Sequence, residues 1–236
     1  MLIIGGITLT AIAYAFGSIP FGLVLTRMFT SIDIRKTGSG NIGATNVRRT
    51  AGNLLGVLTL IGDVLKGALP VFLSIALLWG EAGNTPEIIT AFVAAGSFAG
   101  HLFPIYLKFK TGGKGVATAL GCFMVISPLA VLLILTLFVA VVKVTRRVSA
   151  GSLAAAAFLS PAVWLLNGSA AFSVCAFFMT VMIFFRHMDN IKRILAGTEP
   201  TIGEKQIKGL SAFQARTHPE SVRQGHDDGE HARQDK

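Results

Sequence analysis

Three segments of this 236-residue chain are rich in residue types that bind phosphate, and the first covers residues 38–49. Its sequence is Gly-Ser-Gly-Asn-Ile-Gly-Ala-Thr-Asn-Val-Arg-Arg. Glycines let backbone N–H groups turn inward around an anion, hydroxyl and amide side chains add donors, and arginine binds phosphate through two nitrogens. The candidate ligand-binding residues here are Gly38, Ser39, Gly40, Asn41, Gly43, Thr45, Asn46 and Arg49. Taken alone, the segment fits a flexible glycine-rich loop about equally well.

Residues 38–43 also match the spacing G-x-G-x-x-G of dinucleotide-binding proteins. That fingerprint requires a strand, a tight turn and a helix in one unit. The flanking sequence is apolar and typical of membrane helices, so we reject a dinucleotide site.

The second segment contains a Gly-Gly-Lys-Gly turn at residues 112–115, preceded by two more lysines. It differs from a nucleotide-triphosphate P-loop because Gly115 stands where a Ser or Thr would hold magnesium. A glycine turn at the start of a helix still favours phosphate, through free N–H groups and the helix dipole. The candidate binding residues are Lys110, Gly112, Gly113, Lys114 and Gly115. A basic flank beside a membrane span is the alternative interpretation.

The third segment, residues 186–193, places His187, Asn190 and Arg193 three residues apart. On a helix this spacing predicts a shared face, and Arg193 is a candidate substrate-binding residue. A histidine beside basic residues at a membrane surface is more often only solvated. Ser39 is a candidate nucleophile that His187 could approach only through the fold.

Other polar residues of the chain bear on metal binding, acid–base chemistry and buried charge. The five histidines are scattered and form no metal-binding motif, so we predict neither a metal nor a cofactor. The His-x4-Asp motif of the common acyl-CoA-type glycerolipid acyltransferases is absent from the sequence. Asp63 and Lys66 lie three apart inside an apolar run, where we expect them to pair with each other or face a polar cavity.

The composition places the chain in a membrane. Hydrophobic residues make up 52% and charged residues 14%, with a mean hydropathy of +0.65. The net charge is +9, and residues 213–236 hold four basic and five acidic side chains, so the preceding residues carry +10. Such a body favours anionic lipid headgroups or a phosphorylated ligand. Membrane lipids are expected partners; nucleic acid and an obligatory protein partner are not.

The apolar runs predict an all-α integral membrane protein. They cover residues 2–26, 54–79, 88–107, 115–142, 150–166 and 169–185. The fourth is long enough to break at Ser127-Pro128, since proline disfavours helical geometry in the residue before it. With that break, the basic residues of all loops fall on one side of the membrane, as the positive-inside tendency requires. We therefore predict seven transmembrane helices with the N-terminus outside and the C-terminus inside. Residues 1–210 would form this domain, and the polar residues 211–236 a disordered cytoplasmic tail.

Together the three segments resemble the signature loops of the bacterial acyl-phosphate-dependent glycerol-3-phosphate acyltransferase family. The matching stretches are residues 38–49, 101–118 and 186–199, and similarity extends from about residue 17 to 204. One departure is Thr111, inserted in FKTGGKG where the family has FKGGKG.

The resemblance implies a seven-helix inner-membrane enzyme with its active site facing the cytoplasm. It would transfer a fatty acyl group from long-chain acyl phosphate to the sn-1 hydroxyl of glycerol 3-phosphate, without metal or acyl-CoA. By the same resemblance, Ser39, Arg49, His187 and Asn190 are catalytic, residues 112–115 bind glycerol phosphate, and Glu199 is structural. A small organophosphate transporter is the competing class, but such proteins usually carry internal repeats, and none is evident.

Overall fold

The computed structural model describes residues 2–203, which fold entirely into helices joined by loops. Within that range the α-helices are α1 (Leu2–Gly17), α2 (Phe21–Phe29), α3 (Ala44–Ala51), α4 (Asn53–Leu77), α5 (Thr85–Leu102), α6 (Val116–Ile126), α7 (Pro128–Thr145), α8 (Val148–Asn167), α9 (Ala170–Arg186) and α10 (Met188–Leu195). A short 3-10 helix, Ile105–Leu107, follows α5. The predicted all-α class is confirmed.

Within the described residues, five segments are long and apolar enough to cross a membrane. They are Leu2–Phe29, Asn53–Leu77, Thr85–Leu107, Pro128–Thr145 and Val148–Asn167. A sixth arises if α9 and α10, bent by 61°, form one broken span. The remaining apolar helix, α6, has only 11 residues. The fold therefore has five to six candidate spans, whereas the sequence predicted seven.

The first apolar run is not one continuous helix. α1 ends at Gly17 and α2 begins at Phe21, with Pro20 immediately before it. Proline has no backbone N–H and restricts the residue that precedes it, which explains the break that the apolar pattern alone did not predict. The break brings the carbonyl of Ile19 to the side chain of Lys66 on α4.

The predicted break at Ser127-Pro128 is confirmed. α6 ends at Ile126, and α7 begins at Pro128. Helix ends leave carbonyl groups without intrahelical donors. Here the Nδ2 group of Asn167 donates to the carbonyl oxygen of Ile126 at 3.2 Å.

Close approach of helix backbones positions the polar loops. A Cβ at Gly67 would lie 2.2 Å from the carbonyl oxygen of Thr118, and one at Gly121 would lie 2.0 Å from that of Val64. Only glycine permits α4 and α6 to pack this closely, as is common between membrane helices. The start of α6, and the glycine turn before it, are thereby fixed against α4.

Two apolar clusters lie beneath the loops. The larger contains residues of every helix from α4 through α9 and includes Phe98 and Phe123. The smaller cluster lies beneath the first segment, residues 38–49. It comprises Leu23, Ile34, Ile42, Val47 and Leu55. The helical unit extends to Ile202. The domain boundary predicted after residue 210 and the predicted tail, residues 211–236, lie outside the described residues.

Candidate active site

The first segment folds around the side chain of Asn46, which is 3% exposed. Its Oδ1 accepts from the backbone N–H of Ser39 at 2.9 Å. Its Nδ2 donates to carbonyl oxygens of the same loop, those of Ile34, Thr37 and Asn41, at 3.3, 3.1 and 2.9 Å. The sequence predicted a substrate-binding Asn46; the structure gives it contacts that hold the loop in shape.

The other candidate residues of this segment are half-buried or exposed. Gly38 and Gly40 have φ of +64° and +70°, a conformation that side chains disfavour. Asn41 Oδ1 accepts from the N–H of Gly43 at 2.8 Å, immediately before α3. Ser39 and Arg49 are exposed, Arg49 on α3. Gly40, Asn41, Gly43 and Thr45 are half-buried.

The second segment is held from both sides. Arg186, at the end of α9, donates from Nη2 to the carbonyl oxygen of Gly112 at 2.6 Å and from Nε to that of Gly113 at 3.1 Å. The N–H of Gly113 donates to the carbonyl oxygen of His101 at 3.1 Å. The Arg186 contacts orient both peptides of the turn, a role that we did not predict for this residue.

The glycines of this turn are required by space. A Cβ at Gly112 would lie 1.7 Å from the carbonyl oxygen of Leu102. Gly115 has a φ of +85°, and a Cβ there would lie 2.3 Å from Phe98. The turn ends where α6 begins, at the first N–H groups of a helix, which have no intrahelical acceptor. Lys110 is exposed and lies before the turn.

The third segment differs from the single helical face that we predicted. His187 lies between α9 and α10, at the bend, and Asn190 and Arg193 lie on α10. The Nδ1 of His187 is 2.8 Å from the carbonyl oxygen of Ile183. A carbonyl oxygen can only accept, so Nδ1 carries a proton, and in the neutral form of the ring Nε2 has the lone pair.

Asn190 joins the second segment to the third. Its Oδ1 accepts from Nζ of Lys114, and its Nδ2 donates to Oε1 of Glu199 at 2.6 Å. Asn190 is 7% exposed, so these partners fix the orientation of its amide. Lys114 is thereby held at a defined place beside α10.

Glu199 follows the third segment and accepts hydrogen bonds from two of its residues, Asn190 and Arg193. Oε1 also accepts from Ser149 at 2.6 Å, and Oε2 accepts from Nε of Arg193 at 2.7 Å. Burial favours the neutral acid, but hydrogen bonds from Ser149, Asn190 and Arg193 outweigh it and lower the pKa of Glu199. The carboxylate therefore joins α8 to α10. Its contact with Arg193 also occupies one edge of a guanidinium that we predicted to bind substrate.

Lys114 is within electrostatic range of charged residues from both of the other segments. Burial lowers its pKa to about 8; Glu199 acts in the opposite direction, and the positive charges of Arg193 and Arg49 lower it further. Arg49 belongs to the first segment, Lys114 to the second and Arg193 to the third. The structure thus brings cations from all three segments into one electrostatic environment, as an anion site requires.

The predicted contact between Asp63 and Lys66 on α4 is confirmed. Nζ of Lys66 is 2.8 Å from Oδ1 of Asp63, and both side chains are buried. His101 on α5 adds a third member, with Nδ1 3.6 Å from the same oxygen. We did not predict His101, which is 38 residues from Asp63 in the sequence.

Two other features of the described region lie apart from this site. A cavity of about 880 Å³ opens between α5 and α9 near Glu87 and Ser169, at the helix ends away from the glycine turn. It contains none of the predicted site residues, so we do not assign the chemistry to it. Among residues 2–203, no three His, Cys, Asp or Glu side chains are grouped to hold a metal ion.

Comparisons with known proteins identify the family. The profile of the family described as "Glycerol-3-phosphate acyltransferase" matches residues 7–197. The chain is 51% identical over 187 residues to a glycerol-3-phosphate acyltransferase of Syntrophotalea carbinolica, covering 79% of this chain and 92% of that protein. It is 46% identical over 191 residues to the one from Geobacter sulfurreducens, covering 81% and 94%.

Solved structures agree with these sequence matches. The crystal structure of PlsY (YgiH), an integral membrane glycerol 3-phosphate acyltransferase, in its glycerol 3-phosphate form has a TM-score of 0.78 and 33% identity, covering 84% of this chain and 96% of that one. Its lysophosphatidic acid form has a TM-score of 0.76 and 32% identity, with the same coverage. Sequence and fold therefore show that this chain belongs to the glycerol-3-phosphate acyltransferase family, as its three loops predicted.

Proposed function

We propose that this enzyme transfers a fatty acyl group from acyl phosphate to the sn-1 hydroxyl of glycerol 3-phosphate, releasing inorganic phosphate and lysophosphatidic acid. The observation that carries the proposal is the position of Lys114. It lies at the start of α6, bonds Asn190 and is in electrostatic range of Arg49 and Arg193. Each substrate carries a phosphate group, and a region with cations from three segments can bind both groups.

In this proposal the second segment binds glycerol 3-phosphate. Arg186 holds the carbonyl groups of Gly112 and Gly113. The turn leads through Lys114 directly into the free N–H groups at the start of α6, which favour a phosphate. Support also comes from the related solved structure, which was determined in a glycerol 3-phosphate form.

The first segment would bind the acyl phosphate. Asn46 fixes the loop, which leaves Ser39 exposed at its surface. The hydroxyl of Ser39, the amide of Asn41 and nearby N–H groups would hold the acyl-phosphate end, and Arg49 would bridge the two substrates. The acyl chain would remain in lipid, entering between the helices.

The chemical step needs little beyond positioning, because an acyl phosphate is a mixed anhydride with a good leaving group. The sn-1 oxygen attacks the acyl carbonyl carbon, and the bond between that carbon and the phosphate oxygen breaks. The hydroxyl proton passes to a phosphate oxygen, and phosphate departs. Effective molarity and preorganised donors supply the acceleration. Glu199 contacts Asn190 rather than His187, and among residues 2–203 no carboxylate bonds the His187 ring. We therefore assign the proton to phosphate and a binding role to His187 Nε2.

The proposed topology is seven crossings with the N-terminus outside, the C-terminus inside and this site facing the cytoplasm of a bacterial inner membrane. α6 and α7 would each cross once, which places all the loop cations on one side. The topology is tested by introducing one cysteine at a time, at Lys110 or at Glu81, and measuring its reaction with a membrane-impermeant thiol reagent. Labelling of Lys110→Cys from outside intact cells would contradict the topology.

The function is tested by product formation in the purified protein with labelled glycerol 3-phosphate and EDTA. Palmitoyl phosphate, palmitoyl-CoA and palmitoyl-carrier protein are supplied in parallel. We expect lysophosphatidic acid from palmitoyl phosphate alone, with Arg49→Ala losing about 100-fold or more in kcat/KM. Arg48→Ala is the matched control, because Arg48 is exposed on the same helix.

Other outcomes would redirect the assignment. Activity only with a thioester would refute the acyl-phosphate donor while preserving the family. Failure with every donor, combined with glycerol 3-phosphate flux in proteoliposomes, would favour a transporter. Trapping of a covalent acyl ester on Ser39 would contradict direct transfer.

A further inference from the structure

A buried ionic cluster lies directly behind the glycine turn. Asp63, Lys66 and His101 are only 3%, 1% and 4% exposed. Lys66 Nζ contacts Asp63 Oδ1 at 2.8 Å and donates to the carbonyl oxygen of Ile19 at 2.9 Å. Replacing such a buried pair by apolar residues of similar size is often neutral or stabilising. Stability alone is therefore a weak reason for its presence.

His101 connects this cluster to the turn. One side of its ring faces Asp63, with Nδ1 3.6 Å from Oδ1 and without a hydrogen-bond partner within residues 2–203. The other side faces Gly113, where a Cβ would lie 1.9 Å from Nε2 and 2.5 Å from Cε1. The His101 carbonyl also accepts from the Gly113 N–H at 3.1 Å.

The turn therefore rests on the end of α5 through two kinds of contact. The peptide of Gly113 is bonded to the backbone of His101, and its Cα lies against the imidazole ring. Lys114 is the next residue and reaches Asn190 across the site. A displacement of the ring would move the turn, and with it the ammonium of Lys114.

We propose that His101 is a positioning residue for the phosphate of glycerol 3-phosphate, with Asp63 and Lys66 as its anchor. The ring sets the depth of the Gly112–Lys114 turn and so the place of Lys114 relative to Asn190. This inference rests on the proposed function only in naming glycerol 3-phosphate as the ligand of that turn.

The close contact between His101 and Gly113 permits a double-mutant test. Gly113→Ala introduces a Cβ against Nε2 and Cε1, whereas asparagine at position 101 lacks both of those atoms. We expect Gly113→Ala to raise KM for glycerol 3-phosphate by about tenfold or more, and His101→Asn in that background to recover several-fold. Gly115→Ala is the matched control, because its Cβ would meet Phe98 and Leu102 instead and gain nothing from His101→Asn.

His101→Asn alone should raise KM for glycerol 3-phosphate several-fold, while KM for palmitoyl phosphate changes less than about twofold. A purely structural role would lower thermal stability and affect both substrates alike. His101→Gln, whose terminal amide reaches the Nε2 position, should restore most of the affinity. Asp63→Asn should give the same substrate-selective loss as His101→Asn.

The shift in melting temperature caused by glycerol 3-phosphate gives a second readout that needs no acyl donor. If the wild-type protein binds glycerol 3-phosphate but transfers no acyl group, the proposed function fails while this test proceeds on binding alone. Additive losses in Gly113→Ala/His101→Asn, or equal effects of His101→Asn on both substrates, would overturn the positioning role.

Discussion

The pH dependence of glycerol 3-phosphate use should be set by Lys114. Burial lowers its pKa to about 8, with Arg193 and Arg49 adding to the effect and Glu199 opposing it. In the proposed function, the protonated ammonium is the form that binds phosphate. In the proposed site, binding is therefore fully supported about one pH unit or more below this pKa and is lost as the pH rises through it.

The size of the effect follows from the titration of one group. With a pKa of about 8, roughly nine tenths of the free enzyme carries the charge at pH 7 and roughly one tenth at pH 9. Since kcat/KM reports the free enzyme, its value for glycerol 3-phosphate should fall about tenfold over that interval. The value of kcat should change less, because bound phosphate raises the pKa of the lysine again.

Initial rates at low glycerol 3-phosphate and saturating palmitoyl phosphate, from about pH 6.5 to about pH 9.5, measure this limb after subtraction of uncatalysed hydrolysis. Lys114→Arg should lower the rate but remove the decline, because arginine stays protonated. Lys108→Gln, an exposed lysine of the same loop, is the control and should keep the wild-type profile. An unchanged alkaline decline in Lys114→Arg would refute the assignment.

Three further predictions concern stability and the C-terminus. In Glu199→Gln, one of the three hydrogen-bond donors around the side chain would face the new amide N–H group instead of an acceptor. Thermal melts should therefore show a free energy of unfolding lower by about 1–3 kcal/mol, whereas the exposed Glu81→Gln should show no loss. Equal melts of the two variants would contradict the role of Glu199 in joining α8 to α10. Gly67→Ala forces α4 away from α6 and should lower the free energy of unfolding by about 1–3 kcal/mol. Gly5→Ala should leave it unchanged, because a Cβ there meets nothing within 4 Å. A wild-type melting temperature for Gly67→Ala would count against the close packing. Deletion after Ser211 should leave acyltransfer largely intact, and an inactive but folded truncation would show otherwise.

Much of the fold could be predicted from the sequence because each span is a long apolar run. The break at Ser127-Pro128 was predictable since a proline and the distribution of basic residues favoured the same position. The break before Pro20 was missed because the apolar pattern continues through it. The pairing of Asp63 with Lys66 followed from their spacing on one helix.

The contacts that hold the site loops in place were harder to predict from the sequence. The side-chain amide of Asn46 is a group that can bind phosphate, but here it is hydrogen-bonded within its own loop. Arg186 and His101 act on glycines 73 and 12 residues away in the sequence, and Glu199 bonds Ser149 from 50 residues away. Contacts of this kind depend on how α5, α8 and α9 pack, which local patterns do not encode. The predicted residue types suit an anion site, but which of them hold the loops in shape could be seen only in the tertiary structure.

The shortness of α6 has a consequence for where substrates meet. Eleven residues span about 16 Å, roughly half of a hydrocarbon core of about 30 Å. If Ser127 reaches the outer surface in the proposed orientation, the glycine turn that begins α6 lies well below the cytoplasmic headgroups. A water-soluble glycerol phosphate would then descend to the level of the donor's carbonyl, instead of the donor being lifted out of the lipid. The newly formed lysolipid would be released directly into its own leaflet, without its tail having crossed water.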